Sequence, residues 1–369
     1  MKKPNIVLIM ADDMGYGDVG CYNPDSKIPT PNMDRLAGEG LRFTDAHAPS
    51  AICTPSRYGL LTGRYCWRTH LQRGALQATS PLLIEPGRTT VASLLKQHGY
   101  ATACVGKWHL GVGSEKRADF RKPLRPGPLE VGFDYAYFLP GSINMAPFCF
   151  VDGHETVGIP SVPKPPDMEG QEGLMVPGWR HEDVGPTITE KAVGFIDRHM
   201  TARPEQPFFL YLPASAPHRP CCPPDFIKGA SDAGPRGDMV AEFDWTVGEL
   251  LKTLTRHDAQ ENTLVIVTSD NGAIPGTQIG PDNVSHNWEL YGHKSCGDWR
   301  GYKTHIWEGG HRIPFIVRWP GVVAQNSSSD EIVCLTDLLR TCAAILDSPL
   351  PENAGEDSVN LLPALRREP

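Results

Sequence analysis

Two acidic pairs follow strongly apolar runs: Asp12-Asp13 after Asn5–Met10, and Asp270-Asn271 after Thr263–Ser269. Carboxylates at two strand tips repel if the fold brings them together. A hard divalent cation removes the conflict, because Ca2+ and Mg2+ prefer carboxylate and amide oxygens. Each pair alone also reads as a solvated turn, and Asp270-Asn271-Gly272 is a strong turn signal. At the ends of two apolar strands, the pairs together favour a metal. A second signal is Cys53-Thr54-Pro55-Ser56-Arg57, followed by Leu60-Leu61-Thr62-Gly63-Arg64. Proline suits a first helical turn, so a helix over Ser56–Thr62 places Cys53 beside its N-terminus. That position favours an anion and lowers the pKa of a thiol. Arg57 lies one turn on and can point back at the same place. A lone cysteine is more often structural, but the full string is far more specific than the cysteine. In Gly106-Lys107-Trp108-His109 a strand reading puts Lys107 and His109 on one face.

The elements that must position these residues alternate. Strands are expected at Asn5–Met10, Tyr100–Trp108, Phe208–Leu212, Thr263–Ser269 and Phe315–Trp319. Helices are expected at Met33–Gly40, Ser56–Thr62, Thr90–His98, Thr187–Arg198, Asp238–Arg256 and Leu335–Leu346. This is an α/β pattern: a large, mostly parallel sheet sandwiched between helices. Ligands in such sheets bind beyond the carboxyl ends of the strands, where the candidate residues lie. Two Gly- and Pro-rich stretches, 111–185 and 274–301, carry no clear element and are read as long loops walling a pocket.

Residues along the whole chain resemble type I sulfatases of the alkaline phosphatase superfamily, arylsulfatases among them. The Cys-x-Pro-x-Arg string at Cys53 with its Thr-Gly-Arg element matches the family signature. So do Pro4–Gly17, Gly106–Gly111, Ala216-Pro217-His218, Thr268–Gly272 and the block Arg300–Pro314 with Lys303 and Glu308-Gly309-Gly310. The resemblance implies that Cys53 is oxidised to Cα-formylglycine by a separate maturation enzyme. The hydrated aldehyde then attacks sulfur, and its second hydroxyl allows sulfate to leave, a route a sulfated thiol or alcohol lacks. It further implies one Ca2+, or Mg2+ in its place, on Asp12, Asp13, Asp270, Asn271 and the side chain at position 53. Arg57 would stabilise the nucleophile. Lys107, His109 and Lys303 would bind sulfate oxygens or assist the aldehyde step, and His218 would protonate the leaving alcohol. The implied substrate is a sulfated carbohydrate or aryl sulfate. Residues 1–369 would form one catalytic domain, without the small C-terminal subdomain usual in the family.

Composition agrees. A net charge of −8 over 369 residues disfavours nucleic acid as a partner. The apolar run Ile6–Met10 is too short for a membrane span or a signal-peptide core. The resemblance implies the periplasm or the cell exterior, the usual compartments of the family. His286, His293, His305 and His311 read as pocket or structural residues, and Trp67, Trp288 and Trp299 as surfaces on which a ring could stack. Two other readings compete. One is a phosphodiesterase or phosphonate hydrolase of the same superfamily; the other is a non-catalytic protein that binds sulfated glycans.

Overall fold

The computed structural model describes residues 3–274, 276–280 and 283–367, with only the backbone of 277–280 and 283–287. Its centre is a ten-stranded sheet. In chain order the strands are β1 (Asn5–Ala11), β2 (Leu41–Phe43), β3 (Ala101–Lys107), β4 (Tyr135–Leu139), β5 (Val151–Asp152), β6 (Glu155–Thr156), β7 (Phe208–Pro213), β8 (Thr263–Ser269), β9 (Phe315–Arg318) and β10 (Ser327–Ser329). They lie side by side as β10-β2-β9-β8-β1-β7-β3-β4-β5-β6. The middle five, β8-β1-β7-β3-β4, are mutually parallel. β9 runs antiparallel to β8 and to β2.

Every residue of β1, β3, β7 and β8 is buried. Such continuous apolar runs arise because both faces of the sheet are covered. In β1 the alternation splits cleanly: Ile6, Leu8 and Met10 join one core, and Val7, Ile9 and Ala11 the other. The first core is closed by α2 (Cys53–Thr62), α3 (Val91–Gln97) and the helix Leu338–Ile345. The second is closed by α1 (Pro31–Gly38), α4 (Val184–Ala202) and α5 (Gly234–Arg256). The expected α/β sandwich is therefore what forms. Among the described residues no helix is long and apolar enough to cross a membrane.

Three expectations need correction. Residues 111–185 and 274–301 are not loop throughout: β4 extends the main sheet next to β3, β5–β6 add a hairpin at its edge, and the second stretch holds the paired strands Gly276–Gly280 and Asn283–His286 and a short helix Asn287–Tyr291. The high Gly and Pro content around Tyr135–Leu139 hides a short apolar strand. Helix α2 begins at Cys53 rather than Ser56. Pro55 sits within its first turn, where no backbone donor is needed. Finally, β3 ends at Lys107, so strand alternation does not carry His109 to the site.

Topology brings six segments to one edge. The carboxyl ends of β1, β3, β7 and β8 lead into Asp12, His109, His218 and Asp270. β2 shares their direction and exits toward Cys53. The antiparallel β9 starts at that edge, with Phe315 opposite Thr268, so the chain before it, including Lys303, arrives there too.

On the second core face, Glu242 of α5 is buried and presses against Gly185, where a Cβ would lie 1.6 Å from its Oε1. Burial pushes its carboxyl up to about 8, against about 4.3 in an unfolded chain. The folded protein thus binds the extra proton between these values, and stability falls as pH rises through them. Glu242→Gln removes that slope. In urea melts the variant should be more stable than the parent by over about 1 kcal/mol above pH 8, the two converging below about pH 4. A constant difference across that range would contradict the assignment.

Candidate active site

Three carboxylates meet three cations at the sheet edge. Asp12, Asp13, Asp270, Arg57 and Lys107 are fully buried, and only Lys303 shows a little surface, 13% of its side chain. Arg57 donates from Nε and Nη2 to Asp270 Oδ2 at 3.0 and 2.6 Å, and from Nη1 to the Lys107 carbonyl at 2.8 Å. Lys107 Nζ donates to both oxygens of Asp12 at 2.8 and 2.7 Å. Lys303 Nζ reaches Asp13 Oδ2 at 2.7 Å and Oδ1 at 2.6 Å.

Local backbone bonds fix this arrangement. Asp12 N donates to Ala216 O at 2.9 Å, Asp270 N to Ala11 O at 3.1 Å, and Asp13 N to Asp270 Oδ1 at 3.1 Å. Asp13, His109 and Thr304 hold positive φ values of 72°, 56° and 74°. Left-handed backbone at non-glycine residues costs free energy, and it clusters where geometry is imposed by function. Gly272 has a different reason to be glycine: a Cβ there would lie 1.9 Å from Gly309 O. The Asp-Asn-Gly turn therefore packs directly on the loop that follows Lys303.

Burial and charge set the protonation states. Burial raises the Asp12 carboxyl to about 7, with Lys107 opposing it and Asp270 and Asp13 adding to it. Burial would raise Asp13 as well, but Lys303, with Lys107 further off, holds it far below the usual carboxylate range. Cys53 Sγ lies 3.7 Å from Asp12 Oδ1. Burial pushes its thiol up to about 12, although Lys107 and Lys303 pull it down. This reverses the expectation of a lowered thiol pKa, because the cost of burying a thiolate exceeds the benefit of the helix terminus. Cys53 itself is thus a poor nucleophile at neutral pH.

Both histidines are neutral, and their tautomers follow from their partners. His109 Nε2 lies 2.8 Å from the Leu76 carbonyl and must donate to it, so Nδ1 carries a lone pair; this atom is buried without a partner among the described residues. His218 Nδ1 donates to Arg219 O at 2.6 Å, leaving Nε2 3.7 Å from Asp13 Oδ2. Burial, then neighbouring lysines, press both imidazoles well below their ordinary pKa. His218 therefore does not rest as the protonated acid that its expected role would call for. Asn271 Nδ2 donates to Asp13 Oδ1 and Gly272 O at 2.8 and 2.9 Å, while its Oδ1 is buried with no donor among the described residues. Ligand atoms of Asp12, Asp13, Cys53 and His218 lie within 4.8 Å of one another, as a metal site requires.

All ten residues expected at the site are thus gathered at one edge. The sequence reading missed their support. Arg236 of α5, fully buried, donates to the Asp13 carbonyl at 2.8 Å and to both oxygens of Asp18 at 2.9 and 2.7 Å. His293 completes that group, with Nε2 2.9 Å from Asp18 Oδ1. No local pattern in the sequence joins residues so far apart. Of the remaining candidates, His305 packs on Tyr302, His311 meets His47, and the His286 side chain lies outside the described residues. Trp67, Trp288 and Trp299 are exposed, but the Arg68 and Arg312 guanidinium groups already cover faces of Trp67 and Trp299.

The family model described as Sulfatase matches residues 4–348. The chain belongs to the sulfatase family. It is a sulfatase, an enzyme that hydrolyses sulfate esters. An N-acetylgalactosamine-6-O-sulfatase of Bacteroides thetaiotaomicron is 38% identical over 395 residues, covering 97% of this chain and 75% of that protein. Human arylsulfatase A is 36% identical over 372 residues, covering 99% and 68%. A solved structure from work on glycosaminoglycan metabolism by Bacteroides thetaiotaomicron matches with a TM-score of 0.89 at 36% identity, covering 100% of this chain and 82% of that one.

In this sulfatase Arg57 is the cation paired with Asp270 among the described residues, at 2.6 Å. Arg57→Ala strands that buried carboxylate, and removing one member of a buried pair costs about 3–5 kcal/mol. Denaturant unfolding of Arg57→Ala against the parent, without added metal, should show that loss. A change below about 1 kcal/mol would show that Asp270 finds another partner.

Proposed function

We propose that this sulfatase holds one Ca2+ on Asp12, Asp13, Asp270 and Asn271, and acts through a formylglycine made from Cys53 by a separate maturation enzyme. The observation that carries the metal is the buried, donor-free Oδ1 of Asn271 beside three carboxylates. An uncharged amide oxygen among carboxylates is a ligand set that suits Ca2+, with Mg2+ as the harder alternative. A cation there would act as a Lewis acid that polarises a sulfate oxygen. The need for modification is supported by the raised thiol pKa of Cys53. Formylglycine would supply, as its hydrate, an attacking oxygen and a second hydroxyl through which sulfate is released.

The chain's own residues divide the remaining work. Arg57 fixes Asp270 and stands on the same helix as position 53, so it orients both. Lys107 and Lys303 carry ammonium groups to the two aspartates nearest Cys53 and would donate to sulfate oxygens. His109 offers only a lone pair from Nδ1. It is set to accept a proton in the aldehyde step rather than to donate to sulfate. His218 keeps Nδ1 on Arg219 O, so any proton it passes to the leaving alcohol moves through Nε2. Because that imidazole is neutral at rest, it would first take up the proton during attack and then return it.

For the substrate we infer a sulfated carbohydrate, the class named for the Bacteroides relative. The arylsulfatase A match supports aryl sulfates as further substrates.

Coexpression with a maturation enzyme should convert Cys53 to an aldehyde that intact-mass and peptide spectrometry detect. Cys53→Ala should then lose at least about 1,000-fold in kcat on an aryl sulfate, and His218→Ala about 100- to 10,000-fold. Undiminished turnover by Cys53→Ala would overturn the nucleophile. A panel of sulfated sugars should give a higher kcat/KM with 6-O-sulfated N-acetylgalactosamine than with an aryl sulfate; the reverse order would overturn the substrate class while leaving the nucleophile intact.

A further inference from the structure

Outside the carboxylate centre, His47, Glu308 and His311 form a second cluster of metal-ligating side chains. His47 lies on the segment between β2 and Cys53. Glu308 and His311 lie in the short helix Glu308–His311 that follows Lys303. One ligand atom from each falls within 4.8 Å of the others, and all three residues are half-buried.

The hydrogen bonds of the two imidazoles decide what sits between them. His47 Nε2 is 2.7 Å from Asp45 Oδ1. Arg312 Nη2 holds that same oxygen at 2.6 Å, so Asp45 is a carboxylate and His47 donates to it. His311 Nε2 is 3.2 Å from the Ile306 carbonyl, which also only accepts. With hydrogen on both Nε2 atoms, each neutral ring presents a lone pair at Nδ1. The two Nδ1 atoms are 2.9 Å apart. Facing lone pairs repel at that distance unless a cation lies between them.

Glu308 adds a negative charge to the same place, with Oε2 anchored by Arg312 Nε at 2.5 Å. We propose that His47, Glu308 and His311 form a second metal site, sharing no ligand with the carboxylate centre, that takes a transition-metal ion of the Zn2+ class. Imidazole nitrogens with one carboxylate suit Zn2+ and its neighbours, whereas Ca2+ prefers an all-oxygen set. Tetrahedral Zn2+ with nitrogens at about 2.0–2.1 Å places them about 3.4 Å apart, so the rings open by roughly half an ångström on binding. Asp45 behind His47 is the carboxylate that commonly orients a ligating imidazole and fixes its tautomer.

The site ties together two segments that carry active-site groups. Ala48 N donates to His311 O at 2.8 Å, and Ile313 N to Ala46 O at 2.9 Å. An ion on His47 and His311 would add a side-chain clip to this backbone pairing. It would fasten the approach to Cys53 to the loop leaving Lys303. A single proton shared by the two rings would produce the same short contact, with Glu308 as its counter-charge, and metal titration separates the two.

The test uses the full chain, stripped with a chelator and kept in excess Ca2+ so that the carboxylate centre is occupied. Calorimetric titration with Zn2+ should show one equivalent bound by the parent, and His311→Gln should weaken it at least about tenfold. Co2+ in place of Zn2+ should give visible absorption bands in the parent that are lost in His311→Gln, with circular dichroism confirming that the variant is folded. Absence of Zn2+ binding by the parent would overturn the site and favour the shared proton. Equal affinity in parent and folded variant would overturn it as well.

Discussion

The structure turns on the burial of three carboxylates, Asp12, Asp13 and Asp270, at one edge of a parallel sheet. Carboxylates removed from water are costly, and each here is met by a specific cation: Lys107 for Asp12, Lys303 for Asp13 and Arg57 for Asp270. The charges of the six groups cancel. The balance is uneven in detail, since Asp12 is raised to about 7, chiefly by burial, while Asp13 is held low by Lys303 and its neighbours. On the proposed reading, a further positive charge is what lets so nearly balanced a centre hold a sulfate anion. A divalent cation would change the sum by two and leave the lysines as donors. The converging strand ends, the positive φ values and the buried Arg236–Asp18 pair all serve to keep these groups together.

The same burial supports the proposed modification at position 53. A cysteine at a helix N-terminus is normally an activated nucleophile. Here α2 delivers Cys53 into a dry, acid-lined place, and the thiol is pushed up to about 12. On the proposed reading the helix, Arg57 and the surrounding cations would serve an oxygen group that handles sulfate, in keeping with membership of the sulfatase family.

Much of the site was legible because its residues stand at fixed places in local patterns. Asp12-Asp13 and Asp270-Asn271 follow uninterrupted apolar runs, which announce strands buried on both faces, and such strands deliver their ends to one edge. Cys53 and Arg57 share a helix turn that Pro55 helps to mark. What escaped depends on long-range packing. Nothing near Arg236 in sequence reveals that it caps the Asp13 carbonyl and pairs with Asp18. His109 reaches the site through a left-handed residue after the strand ends, a geometry that alternation cannot give. The strand Tyr135–Leu139 sat unseen among glycines and prolines, and the pairing of His47 with His311 joins residues from distant parts of the chain.

The central claim is that a divalent cation on Asp12, Asp13, Asp270 and Asn271 is what makes this edge bind sulfate. Thermodynamic coupling makes the claim measurable, because two ligands that help each other must do so equally. Calorimetry of inorganic sulfate binding to the Cys53→Ala protein, with and without Ca2+, is the direct measurement. The account predicts sulfate affinity at least about tenfold higher with Ca2+, and Ca2+ affinity raised by the same factor with sulfate, worth about 1.4 kcal/mol or more. Sulfate affinity that is the same in both conditions would contradict it.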